Sequence, residues 1–91
     1  MPIMVNLQHS ERAKKNMTSQ IAGMLKFLQD DLKGEEKGLA KAKTFLKYDL
    51  PGIKQMIARH EAGVRKTKRD IAQITKRIKR LQKEGKINKI L

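Results

Sequence analysis

The sequence predicts an all-α protein built as an antiparallel helical hairpin, and three observations carry that prediction. Apolar residues recur at alternating spacings of three and four along two long segments. A single strong breaker, Asp49-Leu50-Pro51-Gly52, separates them. Strand signals, meaning sustained apolar/polar alternation or runs of aromatic residues, are almost absent. Ninety-one residues suffice for one small domain.

The elements follow in order. Residues 1–9 are expected to be a flexible segment, too short in apolar length and lacking the basic leader of a signal peptide. The helical domain is expected over 10–91, with its first helix over about 10–48. Ser10 is a good N-cap and Glu11 follows in the first turn, where a negative charge suits the helix dipole. The seam of this helix is Thr18, Ile21, Leu25, Leu28, Leu32, Glu35, Leu39, Ala42 and Leu46. Met17, Met24 and Phe45 fall beside it and widen the stripe, with Phe45 expected in the core.

Gly34 and Gly38 interrupt that seam, each costing about 1 kcal/mol relative to alanine in a helix interior. Gly34 after Lys33 fits a C-cap. The heptad phase nevertheless continues unaltered from Leu32 through Glu35 to Leu39. Two helices, or three with a break at 34–38, are both compatible with the pattern.

The proline drives Leu50 out of the helical region, and Pro51-Gly52 reads as a turn over 49–52. A second helix is expected over about 53–84, with a tail at 85–91. Its seam is narrow and regular. Assigning Ile57, Val64, Ile71 and Ile78 to position a of a heptad places Ile53, His60, Thr67, Ile74 and Leu81 at d. Two such helices joined by a tight turn form an αα-hairpin. One hairpin cannot cover the wide stripe of the first helix, so dimerisation into a coiled-coil-like four-helix bundle is expected.

Charge sets the expected partner. There are 22 Lys and Arg against 9 Asp and Glu, for a formal net charge of +13 and a pI near 10.4. Residues 1–52 carry a net +3 and residues 53–91 a net +10. In the second helix Arg59, Arg65, Lys66, Arg69, Lys76, Lys79, Arg80, Lys83 and Lys86 occupy positions b, c and f, opposite the seam, and those positions hold no acid. A solvated helix face normally mixes the two signs. From Arg65 to Lys86 the stripe would run about 32 Å at about 1.5 Å per residue, close to the ~34 Å of one DNA turn. Cations so placed can follow phosphates on either side of a groove, each contact releasing a counterion.

Missing features narrow the ligand. Single-strand binders stack bases on aromatic platforms, and only Phe27, Phe45 and Tyr48 are available, with Tyr48 beside the turn the one ring expected to be exposed. That favours a duplex bound through its backbone without sequence readout. No zinc finger, RNP motif or GxxG loop is present. RNA is slightly favoured over DNA, because long helices suit a shallow A-form minor groove. In outline, a short basic helical hairpin that dimerises resembles the small suppressors of RNA silencing of nodaviruses. The resemblance implies clamping of duplex RNA; it covers architecture and charge and carries no matched residues.

Two other readings use the same residues. A coiled-coil interaction or inhibitor protein could dock its basic face on an acidic partner. A membrane-surface helix would share the basic amphipathic pattern, although the seam of the second helix lacks bulky Trp and Phe. No catalytic constellation and no cofactor are expected. Cysteine is absent, His60-Glu61 lacks the second histidine of a metalloprotease helix, and Asp30-Asp31 and Glu35-Glu36 read as solvated or capping charge. His60, on the seam, is expected to set register as a polar core residue. No stretch approaches the roughly 18 apolar residues of a membrane span, and a cytoplasmic or nuclear location is expected.

Overall fold

The computed structural model describes the backbone of residues 2–91 and the side chains of residues 11–91; Met1 lies outside the described residues. The chain is helical: α1 spans Pro2–Thr44, a short 3-10 helix spans Phe45–Tyr48, and α2 spans Ile53–Lys83, with no strand among the described residues. Ser10, the expected cap, lies inside α1, which begins at Pro2. Gly34 and Gly38 do not break α1, so the hairpin has two long helices.

Two compact units make up the chain. The first to be described, Phe27–Ala72, is the closed end of the hairpin. Here Leu28, Leu32 and Leu39 are half-buried on α1, while Ile53, Ile57 and Val64 are buried on α2. Ala42, Ile53 and Ile57 form a buried cluster against Leu39 next to the turn. The second unit combines Met1–Lys26 with Gln73–Leu91. Its buried residues include Ile21 and Leu25 on α1 and Ile78 and Leu81 on α2. Ile78 is fully buried. All of these lie on the heptad seams, as apolar residues at that spacing must if one narrow stripe is to be removed from water.

The turn is built by local chemistry. Asp49 takes the left-handed conformation (φ 50°, ψ 44°) after the 3-10 helix, and its N–H donates to Leu46 O at 3.2 Å. Asp tolerates that region better than most residues. Leu50-Pro51-Gly52-Ile53 follows as a β-turn closed by Ile53 N–H to Leu50 O, with Gly52 at φ 79°. Proline at the second position and a positive-φ glycine at the third are the signature of a type II turn. The 3-10 helix also corrects two expectations. Winding at three residues per turn takes Leu46 off the seam, and both Leu46 and Phe45 are exposed rather than in the core.

The segment at 85–91, expected as a tail, instead docks on its own unit. Gly85 at φ 72° ends α2 in a Schellman motif: Lys86 N–H donates to Leu81 O at 2.9 Å and Gly85 N–H to Gln82 O at 3.1 Å. Ile87, turned inward by that cap, is 2% exposed. Asn88 N–H donates to Thr18 Oγ1 at 2.9 Å, and Gln82 Oε1 accepts the N–H groups of Ile90 and Leu91.

The glycines predict stability changes of opposite sign. Gly34 is exposed within α1 and a Cβ there would meet nothing within 4 Å. Gly34→Ala is therefore expected to raise stability by about 1 kcal/mol. Gly85→Ala places a side chain at positive φ and should lower it by about 1–2 kcal/mol. Urea denaturation followed by helical circular dichroism measures both; shifts of the same sign would contradict the cap.

Candidate nucleic-acid interface

The basic face is positioned by the seam behind it. Ile53, Ile57, Val64, Thr67, Ile78 and Leu81 are buried and His60, Ile71 and Ile74 half-buried, which turns positions b, c and f of α2 to solvent. In the unit Phe27–Ala72 this exposes Arg59, Arg65, Lys66 and Arg69. In the other unit it exposes Lys76, Lys79, Arg80 and Lys83. Lys86 is exposed as well, but it lies beyond the end of α2 in the C-terminal cap, and its Nζ is 3.2 Å from Glu84 Oε2. That pair joins two well-exposed side chains and is worth little in water. Among the described residues it is the one ion pair formed by the nine cations.

Lys54, Lys68 and Arg77 are exposed too, at the e and g positions flanking the seam. Selecting positions b, c and f leaves these three out, although e and g cations flank the seam closely enough to reach solvent. The acids of α2 are distributed differently: Glu61 and Asp70 are half-buried at the seam's flanks, and Glu84 is exposed at the helix end. The outer positions of α2 thus display cations without neutralising partners on the same face. What such an arrangement can do is attract and hold a polyanion.

The seam itself carries polar chemistry in the unit Phe27–Ala72. Thr67, 5% exposed, donates its hydroxyl to Glu35 Oε1 at 2.7 Å. Glu35 Oε2 is buried and has no hydrogen-bond partner among the described residues. It occupies the space above Gly63, where an added Cβ would lie 2.8 Å away. His60 stands in the reciprocal relation to Gly38, with its Cε1 3.1 Å from the position a Cβ would take. Each helix therefore offers a glycine where the other presents a polar side chain. His60 is half-buried on the seam, where its spacing places it. Among the described residues no three His, Cys, Asp or Glu side chains are gathered as a metal-binding group.

Comparison with protein-family models, with curated proteins and with solved structures finds no match.

The polar contact has a measurable signature. Thr67→Val removes the hydroxyl that Glu35 accepts and should cost about 1.5–3 kcal/mol, the range for hydrogen bonds to charged groups. Replacing both partners by apolar groups, as in Glu35→Leu with Thr67→Val, should recover most of that loss. A denaturation double-mutant cycle with no coupling between the two positions would show that the contact contributes nothing.

Proposed function

We propose that this protein binds double-stranded nucleic acid, without sequence readout and without catalysis, through the outer face of α2. The observation that carries the reading is the sign-pure cation display: b, c and f positions of α2 hold no acid, and Arg59, Arg65, Lys66, Arg69, Lys76, Lys79, Arg80 and Lys83 are all exposed there. Such a display releases counterions when it meets phosphates. Phe27, Phe45 and Tyr48 are all exposed, where Tyr48 alone was expected to be; three rings in 91 residues still favour a duplex over a single strand, since stacking needs aromatic platforms. RNA is favoured slightly over DNA, and suppression of RNA silencing is the setting such binding would serve.

We also propose a homodimer as the binding form. Met17 and Met24 are exposed beside the seam of α1, and Phe27 is 70% exposed. A second copy is the economical cover for apolar groups that one hairpin leaves wet.

Titration of duplex RNA and duplex DNA at several salt concentrations tests the reading. Neutralising about six phosphates should give a slope of log K against log[salt] near −5. Arg69→Glu with Arg80→Glu should abolish binding while leaving helicity intact. Failure to bind either duplex at about 50 mM salt, where phosphate contacts are strong, refutes the proposal. Sedimentation showing only monomer at micromolar concentration refutes the dimer.

A further inference from the structure

The closed end of the hairpin displays a group of side chains that a solvated turn does not need. Turns are ordinarily built from Gly, Pro, Asn, Asp and Ser. Here Phe45, Leu46, Tyr48, Leu50 and Met56 are all exposed, between 37% and 60%, within the segment 45–56. The 3-10 winding eclipses residues three apart, which sets Phe45 and Tyr48 on one side with ring centroids 6.3 Å apart. Lys47 Nζ lies 5.1 Å from the centre of the Tyr48 ring.

The surroundings of this apolar tip are basic. Between Lys37 and His60 the chain holds Lys37, Lys41, Lys43, Lys47, Lys54 and Arg59, against Asp49 as the single acid. All six are exposed. No helix among the described residues is long and apolar enough to cross a membrane, so any lipid contact must be peripheral.

We propose that this tip docks on an anionic lipid surface. Phe45, Leu46, Tyr48, Leu50 and Met56 would enter the headgroup and upper acyl region while the lysines meet acidic headgroups. The charge complementarity and the side-chain mixture both favour this occupant. Tyrosine, with an apolar ring and a polar end, is enriched at membrane interfaces, and basic residues near an anionic leaflet add attraction. Aliphatic groups such as Leu46, Leu50 and Met56 gain from lipid and offer nothing to phosphates or bases. This surface shares only Arg59 with the outer face of α2 and does not depend on the duplex reading.

Tyr48 is the sole tyrosine and there is no tryptophan, so intrinsic emission of the full chain reports on the tip alone. The experiment adds vesicles of phosphatidylcholine with about one-third phosphatidylserine, carrying brominated acyl chains, and compares vesicles of phosphatidylcholine only. Tyr48 emission should be quenched by the anionic vesicles and far less by the neutral ones. Leu50→Ser with Met56→Ser, both at exposed positions, should retain helicity and duplex binding yet weaken vesicle affinity about tenfold. Arg69→Glu with Arg80→Glu should lose duplex binding and still show quenching at saturating lipid, which separates failure of one proposal from failure of the other. Unquenched Tyr48 on protein that co-sediments with vesicles, no vesicle binding, or undiminished affinity in the Leu50/Met56 variant would each overturn the proposal.

Discussion

Register in the closed half of the hairpin depends on a reciprocal fit between glycine and a polar side chain. Glu35 of α1 fills the space above Gly63 of α2, and His60 of α2 fills the space above Gly38 of α1. Thr67 adds a directional bond to the Glu35 carboxylate. Leu and Ile seams tolerate sliding by one heptad, because each repeat resembles the next. A slide by one heptad would take Glu35 from the Thr67 hydroxyl to Ile74 in one direction and to His60 in the other. The cost is visible in Glu35 Oε2, which has no partner among the described residues. A buried polar side chain costs least in the alignment that partly satisfies it, which is how polar seam residues specify register at the expense of stability.

The surface follows from the same economy. In a pair of helices each has one seam to bury, and a chain with net charge +13 must place its cations elsewhere. Glu61 and Asp70 stay half-buried at the seam's flanks, leaving the outer positions of α2 to lysine and arginine. Self-repulsion along that face is unfavourable in the isolated protein and relieved by an anion. The tip differs in kind, because there apolar groups and lysines are interleaved.

Much of this was legible in sequence, for reasons that can be stated residue by residue. The a and d positions of α2, from Ile53 to Leu81, are buried or half-buried as their spacing requires, and Pro51-Gly52 forms the turn. The fate of Gly34 and Gly38 was not legible. Their intrinsic cost argues for a break, while the reason Gly38 is kept, room for His60 from the other helix, is a tertiary contact. Heptad phase puts Phe45 and Leu46 on the apolar stripe because it assumes α-helical winding, whereas the last turn before Asp49 is 3-10. Gly85 carries a local signal for the cap, since a glycine just past the last periodic residue is the usual C′ residue.

That cap changes what the hairpin can do alone. The width of the α1 stripe argues for a second molecule, on the ground that one α2 cannot cover it. In the unit containing Gln73–Leu91, however, Gly85 turns the chain back, Ile87 is buried, and Asn88 bonds Thr18 on the first helix. The chain thus supplies a third contributor, beyond the two helices, to this unit's core. Met17 and Met24 remain exposed after that contribution. The apolar surface left for a partner copy is therefore smaller than two bare helices would present. Met17 and Met24 lie one heptad apart on one flank of the α1 seam, so a second copy seated on them would cover that flank rather than the seam.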